Sequence, residues 1–319
     1  MTPTLSRRTL LALASSAAGS ALLPPSVSAA SNQPFFKRVK LPIGLELYTV
    51  AKEAAADLDD TFARIAQIGY KEVEVSSYYG HTAAQIRAAC DRHGLLCRSL
   101  HAQGQATRAP EDASFTDLPK VIDDARILGA QYVVLPMLPL RLNFKSSTMT
   151  MQTFMDAVRS VTEDDWKACA ALLNDKGEQL ARAGLKIAYH NHNIEFAPIG
   201  KTTPYEILMK ETHPSLVTFE LDVGWVASAG LDPVALLNQY KGRFQLMHVK
   251  DLKATTKPNY TIQTDPADIG AGTLDWKKLL PTAYEAGVRH FLVEQEPPYV
   301  DGGLTAAENG YRYLSQLKA

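Results

Sequence analysis

Residues 185–195 read Leu-Lys-Ile-Ala-Tyr-His-Asn-His-Asn-Ile-Glu, a strand-like apolar run that breaks into three polar side chains, His190, Asn191 and His192. A strand alternates its side chains between two faces, so His190 and His192 share one face and Asn191 takes the other. Two imidazoles on one face at a strand's end are poor packing material, because each ring nitrogen costs free energy if buried without a partner. One histidine bonded in a core and one exposed would meet that demand, and so would a functional site. Three later strand-like runs finish the same way, in Asp222, His248 and Glu294, and that repetition favours a site.

Outward from this stretch the chain repeats one unit. An amphipathic segment ends in glycine and an apolar run begins within a residue or two: Ile68-Gly69-Tyr70, His93-Gly94-Leu95, Leu128-Gly129-Ala130, Ala183-Gly184-Leu185 and Ala286-Gly287-Val288. Glycine suits the residue after a helix, which takes a left-handed conformation. The runs alternate weakly, as strands of a parallel sheet buried on both faces do. Strands are expected at about 42–50, 70–77, 95–103, 130–138, 185–193, 216–224, 244–251 and 289–296. Helices are expected between and after them, at about 58–68, 82–93, 117–128, 163–183, 203–212, 232–241, 274–286 and 303–317. Eight βα units in roughly 280 residues make a single-domain α/β fold, a (β/α)8 TIM barrel. A doubly wound open sheet is the competing fold, but no GxGxxG turn follows any strand. The long connections 139–162 and 252–273 follow strand C-termini and are expected to cover the catalytic face.

At 319 residues, with 46% hydrophobic and 21% charged residues, the composition is that of a soluble globular protein. A formal charge of −1 provides no basic field for nucleic acid and no polybasic membrane patch. Cys90, Cys97 and Cys169 form no CxxC pair; a Cys90–Cys97 bridge and free thiols both remain open. Residues 1–29 read as a signal peptide of the twin-arginine type: Ser6-Arg7-Arg8-Thr9-Leu10-Leu11, an apolar run too short to span a bilayer, and a small-residue site at Val27-Ser28-Ala29. The expected barrel domain is then 30–319, exported to the periplasm or beyond. That route carries folded proteins, which suits a chain that loads a metal first.

In a barrel, function gathers where strands end. Those ends carry Glu46, Glu74, His101, Pro136, His190 with His192, Asp222, His248 with Lys250, and Glu294 with Glu296. His190, Asp222, His248 and Glu294 make a mixed nitrogen and oxygen set, which suits Mn²⁺, Zn²⁺, Co²⁺ or Fe²⁺ better than Mg²⁺ or Ca²⁺. The competing reading is a polar mouth that holds an organic ligand by hydrogen bonds alone.

In their order along the chain the motifs resemble the sugar phosphate isomerase/epimerase superfamily, the xylose-isomerase-like TIM barrels that include tagatose epimerases, inosose dehydratase and AP endonucleases. The likeness rests on Ile43-Gly-Leu-Glu-Leu-Tyr48, Tyr189-His-Asn-His192, Leu221-Asp-Val-Gly224, His248-Val-Lys-Asp251, Gly270-Ala-Gly-Thr-Leu-Asp-Trp276 and Val293-Glu294, and spans about residues 41–317. It implies one divalent ion, Mn²⁺, Co²⁺ or Zn²⁺, held by Glu, Asp, His and Glu from strands five to eight. Asp222, His248 and Glu294 match by position, while strand five offers His190, with His192 the other choice, where the family has glutamate. That departure puts a symmetric two-glutamate epimerisation in question. The Tyr-His-Asn-His variant resembles exported members linked to 3-keto-glycosides and to inosose dehydratase, for which elimination next to a ketone is a natural chemistry. The family often pairs into homodimers.

The expected activity is therefore a metal-dependent isomerase, epimerase or lyase that abstracts a proton α to the carbonyl of a keto-sugar or 3-keto-glycoside. Glu294 is the first choice of base and Glu296 the second. His192 returns the proton, or else bonds the substrate or the ion. Lys250 and His101 hold hydroxyls or a developing oxyanion, with a satisfied core histidine the other reading of His101. Glu46, Trp225 and Asp251 complete the expected substrate contacts; Asp251 also suits orienting a neighbouring strand end, and Trp225 and Trp276 suit sugar stacking or plain packing. Glu195 is expected to tie its loop or to act in catalysis, and Asp275 with Thr273 to cap a helix. A non-catalytic exported sugar-binding barrel is the alternative. A nuclease of the AP-endonuclease kind is disfavoured by the charge and by the few ligands in the early strands.

Overall fold

The computed structural model describes residues 32–105, 111–138 and 150–319. The signal-peptide reading of residues 1–29 lies outside them, as do residues 139–149 of the first long connection. Eight parallel strands close a barrel: β1 Gly44–Glu46, β2 Glu72–Val75, β3 Leu96–His101, β4 Tyr132–Leu135, β5 Lys186–His190, β6 Val217–Asp222, β7 Phe244–Val249 and β8 His290–Val293, with β8 pairing both β7 and β1. The helices α1 Leu58–Ile68, α2 Ala83–His93, α3 Leu118–Leu128, α4 Glu163–Arg182, α5 Pro204–Glu211, α6 Pro233–Gln239, α7 Trp276–Ala286 and α8 Gly303–Gln316 fall where the periodicity puts them.

Local chemistry accounts for their ends. Thr82, Thr162 and Thr203 each cap a helix reciprocally with Gln85, Asp165 and Glu206. Gly94 and Gly129 close α2 and α3 in the left-handed region, at φ 66° and 75°. Short helices not marked by that periodicity also form, among them Ala51–Ala56, Met151–Arg159 and Val223–Ser228. The connection after β7 carries an antiparallel pair, Asp251–Leu252 with Pro266–Ala267. All three cysteines are free and buried. Among the described residues, no helix is long and apolar enough to cross a membrane.

The barrel interior is layered. At the N-terminal end, Arg98 and His290 hold Glu72 at 2.6 and 3.0 Å, and Tyr132 and Lys186 meet Gln245 at 2.8 and 2.9 Å. Above them Val134, Ala188, Leu246 and Leu292 form a small apolar cluster separate from the main core between strands and helices. Two residues further along β5, β7 and β8 the inward positions are charged or imidazole, His190, His248 and Glu294, with Glu74, His101 and Glu220 beside them, while β4 offers Pro136. Two register shifts set this layer. Val73 pairs Cys97 but Glu74 pairs Ser99, and Phe219 pairs Phe244 but Glu220 pairs Leu246. The extra residues, Arg98 and Gln245, reverse the alternation of β3 and β7. Cys97 and Phe244 pack in the outer core, so without the shifts His101 and His248 would follow them outward.

Candidate active site at the barrel mouth

A cavity of about 230 Å³ opens at the C-terminal ends of the strands. It is lined by all four predicted imidazoles, His101, His190, His192 and His248, and by Glu46, Trp225, Glu294 and Glu296. Tyr48, Ser76, Pro136 and Ile262 complete its wall. Asp222 and Lys250 are buried directly behind it. Asp251 is not brought there. Its carboxylate accepts from the backbone N–H of Leu252, Gly270, Thr273 and Leu274 and from Trp276 Nε1, so it is spent on folding the loop after β7. Trp276 is thereby a packing residue, and Asp275 caps α7 as expected.

His248 is the hub. Its Nδ1 lies 2.8 Å from Glu294 Oε2 and 3.8 Å from Asp222 Oδ2; its Nε2 lies 2.7 Å from Glu74 Oε1 and 3.3 Å from Glu220 Oε2. Lys250 Nζ stands 3.0 Å from Asp222, 2.9 Å from Glu294 and 2.7 Å from Glu296, and 4.8 Å over the Trp225 ring. Burial alone would discharge this lysine, but the three carboxylates override it and hold the ammonium well above its ordinary range. Burial likewise opposes ionisation of Glu294, and Lys250 and His248 outweigh it, holding that carboxyl well below the usual range. Burial raises Glu296 despite Lys250. His192 is pushed down to about 4 by burial and then by Lys250, so it is neutral at pH 7: it can accept a proton but has none to give first.

The chemistry of the donors fits a divalent cation. Asp222, His248 and Glu294 bring ligand atoms within 4.8 Å of one another; His190 joins instead with Glu220 and His248. Asp222 Oδ2 is buried without a hydrogen-bond partner, although the Lys250 charge lies beside it. Three of the four predicted ligands therefore converge, and the fourth borders them through a shared imidazole.

The rest of the strand-five motif is scaffolding. Asn191 bonds the backbone N–H and C=O of Asp222, tying β5 to β6. Glu195 accepts from Tyr189 Oη and the His192 N–H, so it ties its loop. Asn193 accepts from the Ile262 N–H at 3.0 Å and fixes the lip of the cavity, where Ile262 holds φ 53°, a costly value for a β-branched residue. Sequence reasoning passed over Glu220 and left Glu74 outside the site. Glu220 stands two residues before Asp222, on the same face of the strand, and Glu74 alternates with Val73 and Val75; the period of two was the available signal.

The family model for xylose isomerase-like TIM barrels matches residues 62–317. Among curated relatives, an inosose dehydratase of Clostridium beijerinckii is 27% identical over 198 residues, covering 61% of this chain and 64% of the relative. The rhizopine catabolism protein MocC of Rhizobium meliloti is 25% identical over 285 residues, 82% of each chain. The chain thus spans a little under two thirds of the dehydratase's length. A solved sugar phosphate isomerase/epimerase from Parabacteroides distasonis superposes with a TM-score of 0.67 at 25% identity, covering 91% of this chain and 96% of the other. The layered barrel, the histidine and carboxylate strand ends and this match over most of the chain agree: the protein belongs to the xylose isomerase-like TIM barrel family.

Proposed function

We propose that this chain is a divalent-metal-dependent lyase or isomerase that removes a proton α to the carbonyl of a keto-sugar or 3-keto-glycoside. One observation carries the reading: a cavity walled by the Glu294 carboxylate, with the buried Lys250 ammonium group 2.9 Å from it. Its volume of about 230 Å³ suits a small polyhydroxylated molecule, below the roughly 300 Å³ where drug-sized pockets begin. The likeness to inosose dehydratases supports elimination over epimerisation.

Asp222, His248 and Glu294 would hold the cation, with His190 at its edge, and the cation would supply Lewis acidity toward the substrate carbonyl. The other steps belong to the chain. Glu294, or Glu296 beside it, takes the α-proton. Lys250, buried behind the cavity, positions Glu294 and Glu296 for that transfer, and the neutral His192 accepts a hydrogen bond from a substrate hydroxyl. Tyr48, exposed at the mouth, offers a ring face to the sugar, whereas Trp225 is buried with Lys250 over its ring and serves as packing. The Arg7-Arg8 segment supports export to the periplasm as part of the same proposal.

Exchange of substrate α-protons in deuterated water, across a panel of keto-sugars with Mn²⁺ present, tests the reaction. Exchange by the wild type and its loss by about 10²-fold or more in Glu294→Gln are expected. Absence of exchange across the panel would favour a sugar-binding barrel without chemistry.

A further inference from the structure

His248 has two sides, and the proposed reaction uses one. On the Nε2 side lie Glu46, Glu74, His101 and Glu220, contributed by β1, β2, β3 and β6, on the layer above Leu246 and Leu292. The three carboxyl groups are 1%, 0% and 0% exposed. Their donor atoms are spaced as ligands are. His248 Nε2 and His101 Nε2 lie 2.7 and 3.1 Å from Glu74 Oε1, and 3.3 and 3.6 Å from Glu220 Oε2. With bonds of about 2.0–2.2 Å to a transition ion, neighbouring ligand atoms stand roughly 3–3.5 Å apart, so small shifts would close this ring on a cation.

A further observation points to a ligand: Glu46 Oε2, Glu74 Oε2 and Glu220 Oε1 are all buried without a hydrogen-bond partner, a cost that a bound cation would remove.

We propose that the barrel floor is a cation site in its own right, in which Glu46, Glu74, His101 and the Nε2 of His248 hold a divalent transition ion and Glu220 closes its edge. It rests on the reading above only in that the other face of His248 is assigned there. The mixed oxygen and nitrogen donors select Mn²⁺, Co²⁺, Zn²⁺ or Fe²⁺ over Ca²⁺ and Mg²⁺. With both positions filled, His248 bridges them as an imidazolate, its last ring N–H proton being released to solvent as the second ion binds.

The test is ion counting on the whole chain, stripped with a chelator and reloaded with Mn²⁺ or Zn²⁺, together with anomalous diffraction from loaded crystals. Wild type, Glu294→Gln, Glu74→Gln and His101→Asn are compared. The expected result is an anomalous peak among Glu46, Glu74 and His101, an ion retained by Glu294→Gln, and affinity for it lowered at least tenfold in Glu74→Gln and His101→Asn. With Mn²⁺, a spin-coupled pair in the wild-type electron paramagnetic resonance spectrum gives the same answer without mutation, so a variant that misfolds does not remove the test. A peak here alone keeps this site and sinks the Asp222, His248 and Glu294 ligand set. A single ion that is lost in Glu294→Gln and retained in Glu74→Gln, or no ion at all, overturns the proposal.

Discussion

Glu195 shows how one side chain records its surroundings. Burial raises it to about 7, against the bonds from Tyr189 and the His192 N–H, which lower it. In the unfolded chain a glutamate titrates near 4.3. Below that pH both states are protonated and the group contributes nothing. Between there and about 7 the unfolded state ionises while the folded one does not, so stability falls as pH rises; above that range the loss is complete. At about 1.4 kcal/mol per unit the loss reaches roughly 3–4 kcal/mol. Gln is the isostere of the protonated form. Urea unfolding of Glu195→Gln and wild type should therefore agree near pH 4 and diverge in the variant's favour up to about pH 7. A constant difference across that range would contradict the buried-acid account.

Gly224 and Asp251 place the same logic at the level of elements. Gly224 lies in the helix Val223–Ser228, and a Cβ there would meet Lys250 Cγ at 2.6 Å and Cδ at 2.8 Å. That stem is pinned at its far end by three carboxylates, so it has little room to move. Gly224→Ala is expected to cost about 1–3 kcal/mol, the usual range for overpacking, and to lower turnover by displacing the ammonium. Thermal melts and α-proton exchange check both. Asp251 holds the loop after β7 through five donors, and Gly272 is required beside it because a Cβ would sit 2.1 Å from Asp251 Oδ1. Asp251→Ala leaves several donors unpaired and should cost about 3 kcal/mol or more, with faster amide exchange confined first to residues 251–276. Uniform loss of protection would show instead that the carboxylate supports the whole barrel.

For the whole molecule, the site is a concentration of acidic groups inside the barrel: six carboxyl groups, Glu46, Glu74, Glu220, Asp222, Glu294 and Glu296, around Lys250 and four imidazoles. A cation that binds the folded state alone adds about 2.7 kcal/mol at 100 times its dissociation constant. For a chain of this size that corresponds to a rise in Tm of about 5 °C on adding Mn²⁺ or Zn²⁺ to chelated protein, reduced in Glu294→Gln. Equal melting curves with and without the ion would remove the metal from the account.

The eight-unit barrel was legible in the sequence because its signals are local. Glycine after five of the eight helices, apolar runs buried on both faces, and threonine caps such as Thr82 with Gln85 each act within a few residues. The strand ends His190, Asp222, His248 and Glu294 were legible for the same reason. Tertiary structure alone decided which way they face. The extra residues Arg98 and Gln245 exist as bulges only through pairing with β2 and β6, and they turn His101 and His248 inward against the alternation set by Cys97 and Phe244. Only closure of the barrel brings Glu74 within 2.7 Å of His248, 174 positions along the chain, and Lys250 between Asp222 and Glu294. Alternation is a property of one strand, whereas register belongs to a pair.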